Sequence, residues 1–156
     1  MTNIPTRALV EGKVMTYRHT QPGTLTMFVC LLCGGVGAAL AWRAGQWPVS
    51  VALIAIMFAA AILFSSLTVE VSDNELRWYF GPGFWTYRLP LTAIETVAVV
   101  RNHWWNGYGI RMAPGFRLYN VSGLDAVELR VGSNDVRRIG TDDPQGLAQA
   151  LNTERR

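Results

Sequence analysis

Charge is scarce in this sequence, and lysine is nearly missing. Asp, Glu, Lys and Arg make up only 16% of the 156 residues, against roughly 25% in soluble domains. Lys13 is the only lysine. A nucleic-acid surface gathers Lys and Arg on one face with aromatics between them. Here the arginines are scattered through strand-like segments, so no nucleic-acid partner is expected. Histidine is limited to His19 and His103, too few for a His-based metal site, and no metal or cofactor is expected. Both cysteines, Cys30 and Cys33, lie within an apolar run and read as small hydrophobes.

Catalysis needs a nucleophile, a base and a group that orients them. Asp142-Asp143 is a carboxylate pair, but a helix cap explains it, while Asp125 and Glu128 fall in a turn and a strand. The chain reads as a non-enzyme.

The charge deficit is local. Between Arg18 and Glu70 the only full charge is Arg43. An uncharged run, Thr24 to Trp42, is followed by Arg43-Ala44-Gly45-Gln46 and a second uncharged run from Trp47 to Val69. A hydrocarbon core of about 30 Å takes about 20 helical residues to cross, and a backbone in lipid must satisfy its own hydrogen bonds. Residues 24–69 therefore predict two transmembrane helices in an antiparallel hairpin. A buried hairpin in a globular core is the alternative, but little polar protein remains to cover it. A signal peptide fits poorly, because about twenty mostly polar residues precede the run.

Tyr17, Trp42 and Trp47 stand where aromatic rings anchor helices at the headgroup layer. Gly34, Gly35, Ala38 and Ala39 on the first helix, with Ala55 and Ala59 on the second, supply small residues for close helix packing. A sharper reading makes them a docking face for another membrane protein, and a homo-oligomer stays open. Arg7, Lys13 and Arg18 precede the first helix and Arg77 and Arg88 follow the second, while the link holds only Arg43. By the positive-inside rule both termini are cytoplasmic. The expected organisation is a cytoplasmic N-terminal segment (1–23), the hairpin (24–69) and a cytoplasmic domain (70–156).

After Val69 the pattern turns to short alternating segments between turn residues, which signals antiparallel strands. Strands are predicted at Leu67–Val71, Glu75–Phe80, Trp85–Leu89, Ile94–Arg101, Ile110–Met112, Phe116–Tyr119, Ala126–Val131 and Val136–Gly140. In the fourth, Ile94, Thr96, Ala98 and Val100 share one face. A helix follows, capped by Asp143 with Pro144 in its first turn, and Leu147 and Leu151 form its apolar face.

The aromatic loop His103-Trp104-Trp105-Asn106-Gly107-Tyr108-Gly109 is the best functional candidate. Its rings either cover an open end of the domain as ordinary core, or stand exposed to enter a membrane leaflet or grip a partner protein. Arg111 and Arg117 would then reach lipid phosphates or acidic residues.

Trp78-Tyr79-Phe80-Gly81, Tyr108-Gly109-Ile110-Arg111 leading to Leu118-Tyr119-Asn120-Val121-Ser122-Gly123, and Ile139-Gly140-Thr141-Asp142-Asp143-Pro144 resemble the bacterial PH-like (pleckstrin-homology-type) domains carried by small membrane proteins, over Ser66 to Asn152. The resemblance implies an all-β barrel or sandwich of about seven antiparallel strands with a C-terminal helix, in a bacterial cytoplasmic (inner) membrane protein. It does not carry inositide binding across, because the loop that would supply cations is Ser72-Asp73-Asn74-Glu75, which is acidic. The expected function is a membrane-anchored interaction module, an accessory or assembly subunit of a larger membrane complex. The alternative is a membrane-surface sensor binding a lipid headgroup or small ligand.

Overall fold

The computed structural model describes residues 8–10, 13–72, 74–106, 109–132 and 135–155, with side chains of residues 8–15 and 106 left aside. Among the described residues, ten strands form two five-stranded sheets. The first is a meander in chain order: β1 (Ala8–Val10), β2 (Lys13–Pro22), β3 (Ser66–Ser72), β4 (Glu75–Phe80) and β5 (Thr86–Pro90). The second contains β6 (Ile94–Arg101), β7 (Gly109–Ala113), β8 (Phe116–Asn120), β9 (Asp125–Val131) and β10 (Asp135–Gly140), in the order β6-β9-β10-β8-β7. The sheets make a β-sandwich. Helix α3 (Pro144–Glu154) closes it by burying Leu147, Ala150 and Leu151.

The order departs from the expected seven antiparallel strands in two ways. Strand β10 turns back from β9 and slots beside β8 in parallel, with Ile139 opposite Tyr119. The N-terminal segment also belongs to the sandwich. Strand β2 pairs along β3 from Met15↔Ser72 to Pro22↔Ser66, so the domain takes in residues on both sides of the helices. Helices α1 (Thr24–Arg43) and α2 (Trp47–Leu63) are thus an insertion in a β-hairpin. Gly23 permits the junction: its amide donates to the Ser65 carbonyl at 2.7 Å, and a Cβ there would collide with the Phe64 carbonyl oxygen.

Helix α1 is long and apolar enough to cross a bilayer; α2 is apolar but only 17 residues long. The second uncharged run does not stay helical to Val69, because β3 claims its last residues for the sheet. Two helices of this length cannot hide each other, and Phe28, Leu32, Val36, Leu40, Val51, Ile54, Ile56 and Phe58 all face outward uncovered. Their mutual seam is narrower than the sequence suggests. Gly34, Ala38, Ser50 and Ala61 are buried in it, and a Cβ on Gly34 would stand 2.7 Å from the Met57 Cβ. Ser50 Oγ donates across to the Ala38 carbonyl at 2.8 Å. Gly35, Ala39, Ala55 and Ala59 are exposed and do not join the seam. At 100° per residue Gly35 and Ala39 point away from the stripe that Gly34 and Ala38 define.

The core lies between the sheets, with Leu67, Val69, Val71, Leu76, Trp78, Leu118, Val127, Leu129 and Ile139 almost wholly buried. Strand β4 alternates inward and outward as expected. Strand β6 does not, because a bulge between Ile94 and Thr96 shifts the register and turns the parity over. Val97 rather than Thr96 or Ala98 packs on the core. At one side Trp78, Tyr87 and Tyr119 gather, Trp78 stacking on Tyr87 at 5.5 Å and meeting Tyr119 edge-on at 5.2 Å. Burial, with the neighbouring Tyr119, raises the Tyr87 pKa above its usual value.

The outward side of β3 holds a buried carboxylate. Glu70 faces Arg18 on β2 and Arg77 on β4, with N–O separations of 3.4 and 3.1 Å, and accepts from the Tyr79 hydroxyl at 3.2 Å. It ties three strands together through their side chains.

Candidate interaction surface

Register defines two ends of the sandwich. Pro22↔Ser66, Leu67↔Phe80 and Tyr79↔Thr86 place the β4–β5 connection at the end where the helices leave the first sheet. Gly81 confirms the closeness, since its amide donates to the Ser66 carbonyl at 2.9 Å and a Cβ there would strike the Ile62 and Leu63 carbonyls. In the second sheet, Arg101↔Asp125 and Gly109↔Asn120 put the β6–β7 and β8–β9 connections together. Thr26 Oγ1 donates to the Val121 carbonyl at 2.6 Å, and Gln21 Nε2 donates to the Ser122 carbonyl at 3.0 Å. Those connections therefore share the helix-bearing end.

At that end stand Phe84, Trp85, Trp104 and Trp105, between 62% and 76% exposed. Ile110 is exposed beside them in sequence. Trp104 and Trp105 are thus not core, and the covering reading fails for these two rings. His103 stacks face to face on Trp105, with centroids 4.3 Å apart and planes 5° from parallel, and Trp104 meets Trp105 edge-on. Tyr108, the last ring of the loop, lies outside the described residues.

The two arginines assigned to this loop part company. Arg117 sits at the start of β8 and reaches Asp135 at 3.7 Å, away from the helices. The Arg137 guanidinium, bonded to the same carboxylate at 2.7 Å, is the main reason that Asp135 is held below its ordinary pKa. Arg111 instead lines a cleft of about 400 Å³ with Thr26, Cys30, Ala60, Phe64, Gly109 and Ile110. The cleft sits where β7 meets the first turns of α1 and the last turn of α2.

Trp42 and Trp47 are both exposed at the far end of the helix pair, flanking the turn at Gly45. Tyr17 is elsewhere. It lies within β2, packs against the core, and its hydroxyl donates to Asp143 Oδ2 at 3.1 Å. Burial, and then the adjacent Asp143 carboxylate, push its pKa above the ordinary tyrosine value. Tyr17 thus joins β2 to the α3 cap rather than marking a helix end. His19 beside it pairs with Asp142. Asp143 caps α3 as expected, accepting from the Gly146 amide at 3.0 Å. Among the described residues, no group of three or more His, Cys, Asp or Glu is placed to hold a metal.

Phe84 and Trp85 had no functional reading in the sequence, although two bulky rings directly after the Gly81-Pro82-Gly83 turn were a usable signal. Thr26 and Phe64 escaped notice, and Cys30 was read only as a small hydrophobe, because each lies inside or beside an apolar run. No family model, curated protein or solved structure matches this chain.

Proposed function

We propose that the protein is a non-enzymatic, membrane-anchored interaction module, a PH-like domain held end-on against the cytoplasmic face of a bacterial inner membrane by a two-span hairpin. Its role in this reading is that of an accessory or assembly subunit of a larger membrane complex.

One observation carries it: the exposed aromatic rings of the sandwich share the end from which two uncovered apolar helices depart. Length supplies the reason. At 1.5 Å per residue, α2 spans about 25 Å and α1 about 30 Å, against a hydrocarbon core of about 30 Å. With Trp42 and Trp47 at the outer interface, α2 ends short of the inner one. A short span draws its flanking groups inward. Phe64, Ile110 and the four exposed rings are the groups available to enter the inner interface, where Trp is favoured. The rest of the domain projects into the cytoplasm on a linker-free mount, a fixed orientation suited to presenting a surface to a neighbouring subunit.

Two measurements test this. Native membranes solubilised in mild detergent and crosslinked should yield the chain within a larger assembly; isolation as a lone monomer across several detergents overturns the accessory role. Cysteine labelling in intact cells should reach a probe at Gly45 from outside and one at Asn152 only after permeabilisation. The opposite pattern overturns the cytoplasmic placement of the domain, and a chain that is soluble without detergent removes the membrane reading.

A further inference from the structure

The cleft at the helix bases has the make-up of a binding site. Its walls are Cys30 on α1, Ala60 on α2, Phe64, and Gly109 and Ile110 on β7, so most of the lining is apolar. The Thr26 hydroxyl is spent on the Val121 carbonyl. Arg111 brings the single formal charge in the lining, and a guanidinium stays protonated at any physiological pH. A volume of about 400 Å³ lies within the range of small-ligand sites.

Position decides what fits. Cys30 lies six residues into α1, about 9 Å along its axis, and Ala60 lies in the last turn of α2. The cleft is therefore continuous with the outward apolar faces of both helices, and it ends in a cation at the sandwich. A ligand with a hydrocarbon portion on one side and an anion on the other matches this layout. Guanidinium groups bind phosphate in a two-pronged, charge-assisted geometry.

We propose that the cleft seats one phospholipid of the leaflet that meets the sandwich. Its phosphate lies against Arg111 and an acyl chain runs along Cys30, Ala60 and Phe64. This rests on the membrane placement above and adds a specific lipid to it. Anionic phospholipids are preferred over zwitterionic ones, because the lining offers no carboxylate to pair with a headgroup amine.

The test uses the full-length chain purified from membranes in mild detergent, with bound lipid counted by native mass spectrometry and identified by extraction. Wild-type protein should retain about one phospholipid, enriched in anionic headgroups, and excess inorganic phosphate should not displace it. Arg111→Gln, which removes the charge-assisted contact, should lower retention by roughly fivefold or more. Ala60→Trp, which fills the apolar wall and leaves the charge in place, should do the same. Arg130→Gln, an exposed β9 arginine outside the cleft, should change nothing. Absence of retained lipid in the wild type, unchanged retention in either cleft variant, displacement by free phosphate, or a protein segment crosslinked into the cleft overturns the proposal. A chain that resists carbonate extraction yet holds no lipid removes the cleft proposal alone, whereas a chain released by carbonate removes the membrane reading as well.

Discussion

If α1 and α2 are an insertion in the β2–β3 hairpin, cutting them out should leave a folded domain. The perturbation removes residues 24–64 and joins Gly23 to Ser65 through Asn-Gly, a pair suited to a tight hairpin turn. The ends are already adjacent, since the Gly23 amide bonds to the Ser65 carbonyl at 2.7 Å and Pro22 faces Ser66. Replacing about forty connecting residues by two lowers the loop-closure cost by about (3/2)RT ln 20, or about 2.7 kcal/mol. Against that stand two losses. The Thr26–Val121 hydrogen bond contributes about 1 kcal/mol. The Phe64 ring, edge-on to Phe80 at 5.4 Å, contributes about 1.5–3 kcal/mol through burial. The terms nearly cancel, so the excised domain should keep most of its stability. It should give a strand-dominated circular dichroism spectrum, a single cooperative urea transition and a buried Trp78 signal. It should also float with liposomes through Phe84, Trp85, Trp104 and Trp105, and lose flotation when all four become alanine. An excised chain that is unfolded while the intact protein is folded refutes the insertion argument. A fragment starting at Glu70, lacking β2 and most of β3, should not fold at all.

Three further outcomes follow from the contacts described. Gly34→Leu drives a side chain into Met57 and should separate the helix pair, lowering stability in detergent by about 1–3 kcal/mol as read from thermal unfolding, while Gly35→Leu on the outer face should be nearly neutral. Asp143→Ala removes both the α3 cap and the acceptor for Tyr17, and should cost about 1–2 kcal/mol in a urea melt. The Asp135 carboxyl, held low chiefly by its bond to Arg137, contributes stability that is full above the ordinary carboxylate pKa of about 4 and is lost as pH falls through its depressed folded value. Asp135→Asn should therefore flatten the acid limb of the stability profile and leave the neutral-pH slope unchanged.

Much of the sandwich was legible because neighbouring strands are joined by turns that announce themselves. Strands β4 and β6 match their expected limits, and α3 starts where Asp143-Pro144 says it should. Strand β2 was hidden because its partner lies beyond the helices, so no nearby turn flags it. Its charge Arg18, read as a basic flank of the first helix, also makes a cross-strand pair with Glu70. The parallel β8–β10 ladder is a long-range choice that local alternation cannot express. In the surface, the aromatic content of the 103–109 loop was visible, but its exposure was not, because inward and outward rings have the same composition. Only the register, which gathers Phe84 and Trp85 with Trp104 and Trp105 at one end, separates them from Trp78.

The split hairpin has a consequence for biosynthesis. The ribosome releases β2 before either helix exists, and its hydrogen-bonding partner β3 emerges only after both. During that interval β2 is a single-sided ladder, a state that waits for the remainder of the chain. If the helix pair enters a bilayer, one helix failing to cross would leave β2 and β3 on opposite faces, unable ever to meet. Sheet closure would then act as a checkpoint: only chains threaded an even number of times could acquire a folded domain, and misthreaded copies would carry exposed strands for proteolysis to find.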